Sequence, residues 1–430
     1  MTDARRIPVD TVSAERLAGR ELVYRLIDLQ SDADAEAFIR ADARGFLGAD
    51  PTDEVVAVDR DGIRERRNVG VFEADSAEGA WPVATVNSWI TPLTVPGGEI
   101  DMWAISSVTV SGTHRRRGIA RALLEGELRA AASAGVAIAG LTVSEATIYG
   151  RYGFASAIPV AKMTVDTRRA GWAAPTPDGR FEYVAGKQLK ADLAAVHDAA
   201  RSQRAGQIPG WDLRWGRMSG VAPGHPSVAK VRGVRYLDAQ GTLQGVMVYT
   251  LDEIPGVFRS EMSISLLASL TPDALAALWG FALQHDLVDR VSADLRPIDD
   301  PLPWLVVDRR GVEVRVHDHG WLRILDVAAA LETRAYRAPL DLLVRVEDAL
   351  GFAAGTWRLT IAGGRATVTP AETTTADAVL DVGTLSALYV GGVSATQLRA
   401  AGRLNATADT AAAIDDAFRA AQSPVLGIWY

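Results

Sequence analysis

The 430-residue sequence has no cysteine. That removes disulfides, thiolate metal sites and a cysteine nucleophile, and it fits a reducing compartment. Long apolar runs are missing as well, so no stretch is long enough to cross a bilayer. The opening residues, MTDARRIPVDTVSAERLAGR, lack the apolar core of a secretory signal. Basic excess is missing too. The formal net charge is −8, whereas a global nucleic-acid binder is usually basic. The six histidines offer no candidate general base by motif, and no metal is expected. These absences point to a cytoplasmic protein that engages neither membrane nor nucleic acid, with secretion by an unusual route left open. An acidic surface speeds encounter with cationic partners such as a polyamine, an amino sugar or a lysine-rich peptide.

What is present is a hydrophobic fraction of 48% and enough length for two or three domains. The most informative stretch is residues 103–154, WAISSVTVSGTHRRRGIARALLEGELRAAASAGVAIAGLTVSEATIYGRYGF. A β-branched strand is expected at 104–110 and a tight loop at 111–117. A helix opens at Gly118 and stops at Gly135, a second strand covers 136–143, and a short helix carries Tyr149. Arg115, Gly118 and Ala120 fit the pattern R-x-x-G-x-A. A helix N-terminus has unpaired N–H groups and a dipole that favours an anion. Gly118 allows close backbone approach, and Arg116, Arg117 and Arg121 add positive charge. His114 sits in the same loop and is read as solvated. The loop is thus a candidate phosphate cradle, although three arginines in a turn often do no more than face water.

About thirty residues on comes Tyr149-x-x-x-Gly153-Phe154. In this order the two motifs resemble the GCN5-related N-acetyltransferases. The resemblance implies acetyl-CoA as cosubstrate, with its pyrophosphate in the cradle and a tyrosine that protonates the leaving thiolate.

Elsewhere the pattern predicts a flexible lead-in over the first twenty residues, a strand at 21–29 and a helix at 32–46. Strands follow at 55–59, 68–73, 81–93 and 161–165, then a linker at 167–178. A hairpin at 231–251, a strand at 262–267 and a helix at 273–285 read as a degenerate second copy. Where the first copy has THRRRGIA, this one has SLTPDALA, with no glycine or arginine and with Asp273 at the helix start. Its cofactor position is therefore expected to be empty. A strand is expected at 304–308. A third unit of mixed helices and strands, opening with a strand at 321–325, is similar to a sterol-carrier domain. A plain packing role is favoured there over lipid carriage.

The fold class is therefore α+β (mixed α/β): two tandem acetyltransferase folds, the second lacking its cofactor loop, then a sterol-carrier-protein-like α+β domain. The expected segments are 1–166, 167–318 and 319–430. This organisation, with THRRRG, SEATIYGRYGF, DPLPWLVVD and a terminal aromatic residue, resembles the enhanced-intracellular-survival family. Active members acetylate amines, notably of aminoglycosides, some acetylate lysines, and they assemble as homohexamers. The resemblance implies that Val108, Thr109 and Val110 bind the acetyl and pantetheine end through backbone groups. Arg116, Arg117, Gly118, Ile119, Ala120 and Arg121 would cradle the phosphates, and Ser144 and Glu145 would flank the pantetheine arm. Tyr149 would be the general acid, and the α-carboxylate of Tyr430 the general base. Such a carboxylate lies roughly seven pKa units below a lysine-like ammonium, so it would take the more acidic proton of the attacked nitrogen, act through water, or have its pKa raised by burial. Two departures put aminoglycoside preference in doubt. Trp429 stands where an acid is expected, and Gly45-Phe46 stands where the first helix should supply one, with Asp42 and Asp50 as loose substitutes. The expected function is acetyl transfer to a cationic, aminoglycoside-like small molecule. The rivals are acetylation of protein lysines and a non-enzymatic lipid-binding or assembly role.

Overall fold

Runs of Val, Ile and aromatic residues set the strands of the first sheet. The computed structural model describes residues 3–77, 79–223 and 228–430. The chain forms two compact units, one comprising Met1–Ala157, Gly320–Ala420 and Tyr430, the other Ile158–His319 and Ala421–Trp429. In the first unit β1 (Leu22–Leu26), β2 (Arg67–Glu73), β3 (Ala84–Val95) and β4 (Gly98–Val110) are antiparallel neighbours in that order. β5 (Ile138–Thr142) pairs parallel to β4, from Met102↔Ile138 to Ile105↔Leu141. A parallel pair needs a crossover, and α4 (Ile119–Ser133) supplies it. It buries Ile119, Leu123, Leu124 and Leu128 against Val69, Trp103 and Leu141 of the sheet. Three further helices precede it: α1 (Thr11–Ala18), α2 (Asp32–Gly45) and α3 (Asp53–Ile63). α5 (Ala146–Tyr149) follows β5.

Several expectations are corrected. The lead-in holds a 3₁₀ turn at Ala4–Arg6 and α1, capped by Asp10, whose side chain accepts from Ser13 N–H. Residues 55–59 are helical, not a strand. The Thr52 side chain caps Val55 N–H, and Asp53 and Glu54 fill the first turn, so capping and helix dipole outweigh the β-branched pair. The 167–178 linker begins with a helical turn, Thr167–Ala170, capped by Asp166. Residues 304–308 are not a strand: Leu302–Leu305 is a helical turn and only Val306 makes a bridge, to Trp172. The strand expected to open the third unit is the end of Val312–Ile324. Its residues from Gly320 to Ile324 pair with β5 of the first sheet.

The same unit carries a five-stranded sheet ordered Arg365–Pro370, Gly355–Ala362, Leu340–Glu347, Ala378–Asp381, Leu404–Ala406. Helices Val327–Thr333, Val382–Leu388 and Ala408–Phe418 each bury an apolar face. The cavity between these layers, lined by residues such as Leu331, Val344, Trp357 and Phe418, is about 20 Å³. One water needs about 10–15 Å³ on this measure, so a sterol-sized ligand has no room without repacking.

The strands of the second unit are ordered Ala155–Asp166, Val288–Arg296, Ser260–Ser269, Leu243–Glu253, Arg232–Asp238, Gly179–Val184. Helices Gly186–Arg201 and Asp212–Met218 were not predicted. The helix after its central strand, Pro272–Leu283, is capped by Thr271 and carries Asp273 in its first turn. Its strands Ser260–Ser269 and Val288–Arg296 part after Ile264↔Ala293. There the Arg296 guanidinium donates to Leu267 O at 2.6 Å and pairs with Asp300 at 2.7 Å.

Candidate active site

β4 and β5 part company after Ile105↔Leu141, while β4 stays paired with β3 as far as Val110. Val108, Thr109 and Val110 therefore have a strand on one side and none on the other. A bulge interrupts the β3–β4 register here, and Ser107 has φ 54°. Such bulges re-aim the chain next to functional sites. Thr109 is locked by its hydroxyl, 2.6 Å from that of Thr85, which donates to Ser107 O at 2.8 Å.

Beyond Val110 lies the arginine loop. Arg116 and Gly118 have φ of 62° and 73°. Left-handed residues of this kind turn successive amide groups toward one concave side, the geometry of an anion nest. Gly118 caps α4 with no side-chain hydrogen bond, and no acidic residue occupies the first turn with Ile119, Ala120 and Arg121. The first N–H groups are thus left for a ligand. The arginines divide by engagement. Arg115 and Arg116 are exposed, and neither makes an ion pair among the described residues. Arg117 donates to Arg20 O at 3.0 Å, and Arg20 donates back to Arg117 O. Arg121 pairs with Glu125 at 2.6 Å. His114 is buried rather than solvated, with Nδ1 2.8 Å from Thr113 Oγ1 and Nε2 3.0 Å from Glu73 Oε1. It braces the loop against the end of β2.

On the β5 side, Ser144 and Glu145 are exposed, and Glu145 caps α5 through Thr147 N–H and Oγ1. Tyr149 is buried, edge-on to Phe154 with centroids 6.3 Å apart. Burial holds its hydroxyl pKa above the ordinary value, so it keeps its proton at neutral pH. Tyr430 also reaches this sheet. Thr142 Oγ1 donates to its main-chain oxygen at 2.5 Å, and its ring meets Trp89 edge-on at 5.4 Å.

The Trp89 contact opens onto a polar cluster that sequence reasoning only grazed. Arg66 stacks on the Trp89 ring at 3.7 Å and reaches Asn87 Oδ1 at 3.4 Å. Asn87 Nδ2 donates to Ser107 Oγ at 3.1 Å. Asp42 of α2 completes the cluster, and burial is the main cause that raises its carboxyl to about 7. Gly45, where an acid was expected, cannot carry one: a Cβ there would lie 2.3 Å from Thr109 Cβ. Asp50 is exposed and only 4.0 Å from Arg44. Of the two substitutes, Asp42 alone is set into the site.

A splayed β4–β5 pair that feeds an uncapped helix through a left-handed loop defines a GCN5-related N-acetyltransferase. The chain's residues fit acetyl-CoA, the acetyl donor of that class. Family models agree: an acetyltransferase (GNAT) domain matches residues 27–157, another matches 210–324, and a sterol carrier protein domain matches 327–427. The chain is 34% identical over 407 residues to a protein of Streptomyces avermitilis named only as an N-acetyltransferase, covering 91% of this chain and 95% of that one. It is 32% identical over 325 residues to N-acetyltransferase Eis of Mycobacterium tuberculosis, covering 73% and 76%. Eis1 from Mycobacterium abscessus has the same fold, with a TM-score of 0.79 at 28% identity over 95% of this chain and all of that one. The chain belongs to the Eis family of N-acetyltransferases.

Proposed function

We propose that the protein acetylates an amine of a cationic, aminoglycoside-like small molecule, with Tyr149 as general acid and the carboxylate of Tyr430 as general base. The observation that carries this reading is the Thr142–Tyr430 hydrogen bond, which fixes the last residue at the end of β5, where β4 and β5 separate. Charge supports the acceptor class. Asp42 and Asp59 bear on the same cluster, and the net charge of −8 favours approach of a cation.

Acetyl-CoA would supply an activated acetyl thioester, and the Val108–Val110 backbone, the arginine loop and the start of α4 would hold it. The chain's own groups do the rest. A β4 N–H on the unpaired side can donate to the carbonyl oxygen as it gains charge. Tyr149, raised by burial, is a weaker acid than a free thiol, whose pKa is about 8.5. Its contribution is a hydrogen bond that strengthens as sulfur becomes anionic. The Tyr430 carboxylate accepts the proton of the attacked nitrogen, which has become far more acidic.

The test pairs an acceptor panel with one mutation. Aminoglycosides, polyamines and lysine peptides are assayed for acetyl-CoA turnover. Tyr149→Phe should lower kcat about 10²- to 10⁴-fold, as for other positioned acids, and leave the acetyl-CoA KM unchanged. Exclusive turnover of lysine peptides would replace the small-molecule reading. An equally active phenylalanine variant would reduce Tyr149 to a packing residue.

A further inference from the structure

Asp42 lies in the last turn of α2, a helix that packs on β3 and β4. Its Oδ1 is sealed from solvent and has no hydrogen-bond partner among the described residues. Buried carboxylate oxygens are ordinarily paired, so an orphan beside a reaction site needs a reason, and the acceptor's chemistry supplies one. An ammonium must lose one proton before its nitrogen has a lone pair for attack. A second proton leaves once the C–N bond has formed. The Tyr430 carboxylate suits the second. It suits the first badly, because a carboxyl near 3.5 and an ammonium near 10.4 differ in proton affinity by roughly seven orders of magnitude.

We infer that Asp42 takes the first proton, relayed through the Ser107 hydroxyl; this inference rests on the amine-acetylation reading above. Ser107 is half-buried, sits at the β4 bulge and directly precedes Val108. Asn87 Nδ2 already donates to its oxygen at 3.1 Å, which leaves the hydroxyl hydrogen to pass on. In the step an ammonium N–H bond breaks as an O–H bond forms on Ser107 Oγ, and the hydrogen previously on Ser107 moves to Asp42. A positive and a negative charge vanish together, which a desolvated site favours.

The groups facing Asp42 set its readiness. Burial raises the carboxyl to about 7, the Ser107 hydroxyl opposes that, and the Asp59 carboxylate adds to it. The Thr85 hydroxyl and the Arg66 guanidinium pull it down. The mismatch with an ordinary ammonium shrinks to roughly three orders of magnitude. The sign for stability follows. A carboxyl raised on folding costs nothing below its unfolded value of about 3.9, and the penalty is full above about 7.

The decisive experiment is the pH dependence of kcat for wild type, Asp42→Asn and Ser107→Ala, with an acceptor from the panel. Wild type should lose kcat as pH falls through about 7. In Asp42→Asn that limb should disappear, and kcat at pH 8 should drop about 10²-fold, the scale of one positioned base. The acetyl-CoA KM should stay put, and Tm at pH 8 should rise. Ser107→Ala should keep the limb, moved to higher pH, at a reduced rate. Wild-type kcat with an unchanged limb in Asp42→Asn would overturn the assignment. So would a lowered Tm with the limb intact, which would make Asp42 purely structural. A wild-type protein that acetylates no amine in the panel would instead sink the amine reading, and this inference with it.

Discussion

At the scale of single residues, the arginine loop shows how far a motif can be read. The R-x-x-G-x-A pattern marked the loop that turns into α4, but Arg121 was read from it only as a cradle charge, and its i,i+4 partner Glu125 was passed over. The Arg117–Arg20 contact spans 97 positions, and no local pattern announces it. The burial of His114 against Glu73 was equally hidden. These contacts sort the loop's arginines into exposed side chains and struts. Arg116→Glu should raise the acetyl-CoA KM by roughly 10- to 30-fold, because an exposed pair contributes about 1 kcal/mol and reversal turns attraction into repulsion. Arg121→Glu should move KM less and lower Tm. It sets a carboxylate against Glu125, which also holds Arg16 at 2.9 Å and Arg129 at 3.5 Å. Steady-state KM and a melting curve for the two variants suffice. Equal KM effects would mean that Arg121 lets go of Glu125 to bind phosphate.

At the scale of elements, helices and strands were legible where one periodicity ruled and illegible where signals conflicted. β2, β4, α2 and α4 have clean patterns. α3 reads DEVVAVDRDGI, whose Val-Val pair suggests a strand until the Thr52 cap is weighed. Of Val312–Ile324 only the end was read as a strand, because its first half is largely exposed and its apolar end alone resembled a new beginning. Long-range caps are harder still. The Arg334 guanidinium is buried and donates to Leu388 O, Tyr389 O and Phe418 O, and the last of these bonds is 2.6 Å long. It thereby closes the C-terminal ends of helices Val382–Leu388 and Ala408–Phe418, where cations suit the dipole. Its ring contacts with Tyr336 and Phe418, 4.7 and 4.9 Å from their centroids, fix its plane. Arg334→Met should cost on the order of 3 kcal/mol, taking 1 kcal/mol or more for each orphaned carbonyl. Arg334→Lys should rescue little of it, since an ammonium lacks the planar fork. Urea unfolding measures both. A loss below about 1 kcal/mol would mean that water replaces the guanidinium, as buried waters do elsewhere.

At the scale of the whole molecule, the end of the chain is the segment whose placement matters most to the proposed chemistry. Residues 421–429 belong to the second unit and Tyr430 to the first. Within the second unit the segment is tied down repeatedly. Val425 N–H donates to Ala205 O at 2.9 Å, and Gly427 N–H donates to Gln207 Oε1 at 3.1 Å. His319 Nε2 donates to Ile428 O at 3.0 Å, and Arg214 donates to Trp429 O at 2.8 Å. Chain ends ordinarily fray, and this anchoring is what a precisely placed terminal group requires. The apolar PVLGIWY hinted at an inward course, but no pattern in it named the four partners. If the carboxylate of Tyr430 works in the reaction, its location matters more than the phenol. Tyr430→Phe should keep kcat within about threefold, because the ring still packs on Trp89 and the Thr142 bond involves the main chain. Deleting Tyr430 draws the terminus back by up to about 3.5 Å, and a C-terminal extension turns the carboxylate into an amide. Either should cut kcat by about 10²-fold or more, with the acetyl-CoA KM near wild type. A segment that only anchors the fold predicts the reverse: harmless extensions, and a Tm loss in proportion to the packing removed. Full activity in a C-terminally extended protein would remove Tyr430 from the chemistry and leave Asp42 as the proton acceptor and Tyr149 as the hydrogen-bond donor to sulfur.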